Sequence, residues 1–208
     1  MFRKLGIERW RLMGEKAVFF VFVGNRLLGR GNLKKVVRLA KPYVDRGCQE
    51  RIALFDEQSG RAVDVDFSGS ETEVIDKLDG QEVATKATSV HRGPGRPKLG
   101  VVSREVTLLP RHWQWLSEQP SGASATLRRL VDSARKANAS QDAMRKIIDA
   151  AHCFIWDIAG DQPGFEEAAR ALFAHKFDEV ASHIVDWPKD IRKQLHRFID
   201  QACRCQDA

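Results

Sequence analysis

The run Ala17-Val18-Phe19-Phe20-Val21-Phe22-Val23 is unbroken by any polar residue. It falls far short of the roughly 18–20 apolar residues needed to cross a bilayer, so it reads as a buried β-strand. Gly24-Asn25 makes a hairpin-type turn, because both residues tolerate positive φ. Arg26–Arg30 is the returning strand, ended by Gly29 and Gly31. Asn32 is suited to cap a helix over Leu33–Tyr43, whose apolar face is Leu33, Val36, Val37, Leu39 and Ala40.

Arg51–Phe55 predicts a third strand, and Asp56-Glu57-Gln58-Ser59-Gly60 a turn. Ala62, Val63, Val65 and Phe67 then alternate with Asp64 and Asp66, the pattern of a half-buried fourth strand. Ser70-Glu71-Thr72-Glu73 has the spacing of a capping box, and Val74, Ile75 and Leu78 form the face of the helix it opens. The order is ββαββα.

From Asp79 to Lys98 the pattern loses its period. The stretch ends in His91-Arg92-Gly93-Pro94-Gly95-Arg96-Pro97-Lys98, where Gly and Pro forbid a helix and discourage a central strand. Val101–Leu109 predicts a strand. Pro110 opens a helix through Trp113, Leu116 and Gln119, stopped by Pro120-Ser121-Gly122. Ser124 is the expected cap of a second helix, Ala125–Lys136, with Leu127, Leu130, Val131 and Ala134 apolar.

The remainder is helical in pattern: Ser140–Ala159, Phe165–Ala174, Lys176–Val185 and Lys189–Cys203. The expected architecture is therefore α+β. It comprises a tail (1–16), a small N-terminal ββαββα domain (17–79), a basic Gly/Pro linker (80–100), a strand–helix–helix unit (101–137) and an all-helical C-terminal region (138–208).

Composition alters this picture little. Hydrophobic residues make up 43% and charged residues 30% of the 208, ordinary values for a folded chain. Met1–Lys16 is basic and has no continuous apolar segment of the kind a signal peptide needs, so a cytoplasmic protein is expected. Cys48, Cys153, Cys203 and Cys205 do not form paired CxxC motifs and read as free thiols in a reducing compartment.

Charge distribution matters more. The net charge is +6, and residues 86–111 hold 6 basic side chains against 1 acidic. A concentrated positive field of this kind suits a polyanionic partner.

Catalytic patterns are not found. The sequence contains no P-loop, GxSxG, HExxH or GxGxxG. Asp64, Asp66 and Asp56 read as a solvated face before a cation site. His152 and Cys153 are sequential on one helix and point apart. Trp113, Trp115, Trp156 and Trp187 fall in or beside apolar helical faces, where core packing is the default, although Trp113 and Trp115 are two apart, which leaves one of them more exposed. The expectation is a non-enzyme with no cofactor or metal.

Two local resemblances bear on a partner. Glu105-Val106-Thr107-Leu108-Leu109-Pro110, the helix that follows, Gly122-Ala123-Ser124 and the second helix resemble the ribbon–helix–helix family. The resemblance implies a homodimer whose paired strands enter the major groove of DNA, with the N-terminus of the second helix on a phosphate. In that register Val106 and Leu108 face a core, Thr107 faces a base edge, and Ser124, Ala125 and Thr126 hold the phosphate. Glu105 departs from the pattern by placing a negative charge toward the groove. Gly95-Arg96-Pro97-Lys98, with Arg92 upstream, is similar to the AT-hook, although Pro94 and Gly95 stand where a hook has Arg-Gly. It implies minor-groove contact at A·T-rich sequence, where Arg is drawn to the negative potential.

The whole chain also resembles an uncharacterised bacterial family, domain of unknown function 2239. The stretches Gly93–Trp113, Gly122–Val131 and Ala159–Ala168 carry the resemblance, which implies no activity. The expected function is DNA binding in a regulatory role, through Arg92, Arg96, Lys98, Arg104, Thr107, Ser124, Ala125 and Thr126. The alternative is a protein-interaction or structural module in which the 101–109 strand pairs with a partner.

Overall fold

The computed structural model describes residues 17–83 and 102–206. The chain falls into two compact units, one of residues 1–86 with 140–208 and the other of residues 87–139.

The first unit is built on a four-stranded antiparallel sheet with strand order β2-β1-β3-β4. Its strands are β1 (Phe19–Val23), β2 (Arg26–Gly31), β3 (Ile52–Asp56) and β4 (Ala62–Val63). Two helices intervene as the pattern predicts: α1 (Leu33–Asp45) and α2 (Glu71–Val83). The ββαββα order and the α+β class are as expected.

Why β1 is apolar throughout is now plain. Side chains alternate across a strand. Phe19 and Val21, with Leu54 of β3, pack with Val36, Val37 and Ala40 of α1 and Val74 of α2. Phe20 and Phe22, with Phe55 of β3, belong to a second core shared with the C-terminal helices. A sheet covered on both faces has no polar side to show.

Those covering helices are α5 (Ala139–Ala159), α6 (Phe165–Phe173), α7 (Phe177–His183) and α8 (Lys189–Gln206). Phe154, Ile148, Trp187, Leu195 and Phe198 bring them to the sheet. The N-terminal domain and the C-terminal region, expected as separate bodies, are one. Full burial of each such side chain contributes about 1.5–3 kcal/mol. The Leu27 amide on edge strand β2 donates to the Asp190 carboxylate at 3.0 Å, and Trp187 Nε1 donates to the Pro163 carbonyl at 2.7 Å.

Local details follow the sequence closely. Asn32 accepts from the Lys35 amide at 2.9 Å and so caps α1. At α2 the capping box closes both ways: the Ser70 amide donates to Glu73 Oε2 at 2.7 Å and the Glu73 amide to Ser70 Oγ at 3.3 Å. The fourth strand is shorter than the alternation implies. Pairing stops at Val63, although Val65 and Phe67 stay half-buried and Asp64 and Asp66 exposed. Past Val63 the Asp66 carboxylate is drawn into a turn by the Ser68 amide at 2.9 Å and by Lys77 at 2.9 Å. Asp56 likewise accepts from Ser59 Oγ at 2.7 Å and the Gln58 amide at 3.1 Å, so both carboxylates serve turns. Among the described residues no group of acidic, His or Cys side chains is arranged to hold a metal. No helix among them is long and apolar enough to cross a membrane.

Candidate nucleic-acid interface

The second unit contains α3 (Pro110–Ser117) and α4 (Gly122–Ala137), which pack on each other. Residues 102–109 precede them with no regular secondary structure. This segment was expected to be a strand. It belongs to no sheet, because the four sheet strands all lie in the other unit and pair among themselves. Leu109 has extended torsions, φ −67° and ψ 151°. A strand needs a partner ladder, and among the described residues none is offered.

The consequence is an apolar surface without a cover. Val106, expected to face a core, is 58% exposed. Val102, Leu109, Trp113, Trp115, Leu130 and Val131 are exposed as well, while Leu116 and Thr126 are buried. Trp113 and Trp115 are both exposed, where only one of the two was expected to be, and the expectation that Trp156 packs in a core is overturned. Of the four tryptophans in question only Trp187 is fully buried.

Of the candidate contact residues, Arg104 and Thr107 are exposed on the extended segment, beside the equally exposed Glu105. Arg92, Arg96 and Lys98 lie outside the described residues. Helix α4 begins at Gly122, earlier than predicted, so Ser124 lies within the first turn and is no cap. Ser121 takes the cap position but makes no side-chain capping bond, and the first turn holds no acidic residue. The first-turn amides therefore meet no competing side-chain anion, and a helix N-terminus in that condition favours a phosphate. Ser124 is exposed there and Ala125 is half-buried. Thr126 does not join them. It is 1% exposed and its hydroxyl lacks a hydrogen-bond partner, because it turns inward one residue further along the helix. Arg128, one turn on, donates from Nε to the Ser124 carbonyl at 3.2 Å, which holds a guanidinium beside this helix end. The sequence counts Arg128 and Arg129 as a departure from the ribbon–helix–helix pattern, because they lie within this helix rather than at its first turn. The spacing of four residues from Ser124 to Arg128 was the available sign.

Electrostatics set the two units apart. Residues 87–139 carry nine Lys or Arg and three Asp or Glu, a net +6 that equals the charge of the whole chain. The other unit balances to zero.

One feature of the first unit was also missed. His152 and Cys153 were expected to point apart, yet both line one recess of about 460 Å³ with Arg61, Ala62, Trp156 and Asp157. Two neighbours on a helix can border the same hollow when a loop, here the β3–β4 turn, closes its far side.

A family model matches residues 18–199, and its description is an uncharacterized protein conserved in bacteria (DUF2239). No curated protein and no solved structure matches the chain.

Proposed function

The chain belongs to this bacterial family, and we propose that it is a DNA-binding protein that acts as a homodimer through residues 102–109. The observation that carries the reading is the unpaired, exposed segment 102–109, set beside the uncovered apolar residues of α3 and α4 in the unit that holds the chain's net charge. A second copy supplies the missing ladder and covers Val106 together. The two-stranded ribbon so formed is narrow enough for a major groove about 12 Å wide.

On that ribbon Thr107 faces the groove, and Arg104, on the opposite side of the strand, supplies a phosphate contact. Glu105 faces the groove too, where a carboxylate can accept from a cytosine amino group. The first turn of α4, through Ser124 and Ala125, takes a phosphate with Arg128 beside it. Arg92, Arg96 and Lys98 reach along the adjacent minor groove, with A·T-rich sequence favoured.

The test is fluorescence anisotropy with A·T-rich and G·C-rich duplexes across a salt series, on wild type and an Arg92→Ala/Arg96→Ala variant. Binding tighter than about 100 μM at physiological salt is expected, with a salt slope that falls by about one for each phosphate-contacting cation removed. Salt-tolerant self-association without DNA retention is the result required by the alternative, an interaction or structural module built on the same segment.

A further inference from the structure

The recess on the first unit has a chemistry of its own, independent of the DNA reading. The β3–β4 turn lies hard against α5, since a Cβ placed on Gly60 would collide with the Ala150 carbonyl oxygen. Next along the chain, Arg61 and Ala62 form one wall of the recess. His152, Cys153, Trp156 and Asp157 form the other.

The α5 side is aromatic and open. Trp156 is 64% exposed, an uncommon state for a residue that usually hides most of its surface. The His152 ring lies 5.9 Å from the Trp156 ring and 4.9 Å from that of Phe173, which is also exposed. Three rings thus lie close together, with Trp156 and Phe173 exposed and His152 half-buried.

The charges are asymmetric. Asp157 is engaged: Arg51 Nη2 lies 2.5 Å from its carboxylate and Arg51 Nη1 donates to its backbone carbonyl at 2.8 Å. That pair is neutral. Arg61 is exposed, and among the described residues its guanidinium makes no ion pair. The recess therefore offers flat ring faces, a thiol and one uncompensated cation.

We propose that this recess binds a small aromatic carboxylate. Its ring lies against Trp156 and His152, and its carboxylate meets the Arg61 guanidinium in the forked geometry that pair favours. The volume, about 460 Å³, is in the range of small-molecule sites, which run from about 300 to 1,000 Å³.

The test uses 2-naphthoate as probe on the full chain, read at the indole N–H resonances in ¹⁵N–¹H spectra. The Trp156 signal is identified by its loss in Trp156→Phe. A saturable shift at Trp156 with Kd below about 1 mM is expected, while Trp113 and Trp115 report any general adhesion to apolar surface. Arg61→Ala, at an exposed position, weakens binding about fivefold, and the neutral analogue 2-naphthylmethanol binds wild type more weakly by a similar factor. No saturable shift at Trp156 overturns the proposal. So does equal affinity for the charged and neutral probes, which marks a sticky surface without a cation's recognition.

Discussion

Phe154 of α5 meets Phe55 of β3 edge to face, with ring centroids 5.2 Å apart and planes at 86°. The same Phe154 ring lies 5.4 Å from Phe20 and 6.0 Å from Phe198. One side chain thereby ties both strands at the sheet centre to the first and last of the C-terminal helices. Phe154→Ala removes a fully buried ring from that junction and is expected to cost about 3–5 kcal/mol. Chemical denaturation checks this, and the sheet and the C-terminal helices should unfold in a single transition. Two separate transitions, with the helices alone affected, would contradict a shared core.

The turn that abuts α5 makes a second comparison. Gly60 (φ +65°) and Gly47 (φ +67°) both hold left-handed backbone, but a Cβ at Gly47 meets nothing within 4 Å, whereas one at Gly60 strikes Ala150. Gly47→Ala should cost only the conformational strain, about 1–2 kcal/mol. Gly60→Ala should cost more, about 2–4 kcal/mol, because the turn must also retreat from the helix. Equal losses in thermal or denaturant unfolding would mean that the turn is not held against α5.

Two carboxylates give a pH signature. The Ser68 hydroxyl, with Lys77 next, holds Asp66 well below the usual carboxylate range. The Ser70 amide, followed by its hydroxyl, lowers Glu73. Each folded-state value lies beneath the unfolded one, so the stabilisation is fully present above the unfolded values of about 3.9 for Asp and 4.3 for Glu. It is lost as pH falls further, through the depressed folded values. Carboxyl ¹³C titration should place both midpoints under those values, and Ser70→Ala, which removes the hydroxyl and keeps the amide, should move Glu73 part of the way back up while leaving Asp66 in place. An unmoved Glu73 would show that the Ser70 hydroxyl has no part in its titration.

Much of this architecture was readable beforehand, for identifiable reasons. The unbroken β1 run, the Asn32 cap and the Ser70–Glu73 box are local, and each formed as its spacing implied. Contacts distant along the chain were not readable. Nothing near Phe20 announces that Phe154 and Phe198 will cover it, so a single unit was taken for two. Helix α4 begins at Gly122, whose left-handed backbone (φ +72°) starts the helix two residues before Ser124, so Ser124 is off the cap, and Thr126 falls on the buried side. The tryptophans misled for a related reason. Helical periodicity places Trp113 and Trp156 near apolar faces but does not say whether anything in the same chain will cover those faces. The alternation at 102–109 was legible, but not that none of the described strands would pair with it.

The proposed pairing of that segment with a second copy makes Val106 the most direct point of attack. Since Val106 is more than half exposed, Val106→Asn should leave the fold of the single chain intact and add no charge. The measurement is the affinity of Val106→Asn and wild type for an A·T-rich duplex, by anisotropy at physiological salt with sedimentation on the same samples. The account predicts a wild-type dimer that binds tighter than about 100 μM, and a variant that sediments as a monomer and binds at least about tenfold more weakly. Equal DNA affinity for the two proteins, or no DNA binding by a wild type that still self-associates, would contradict it.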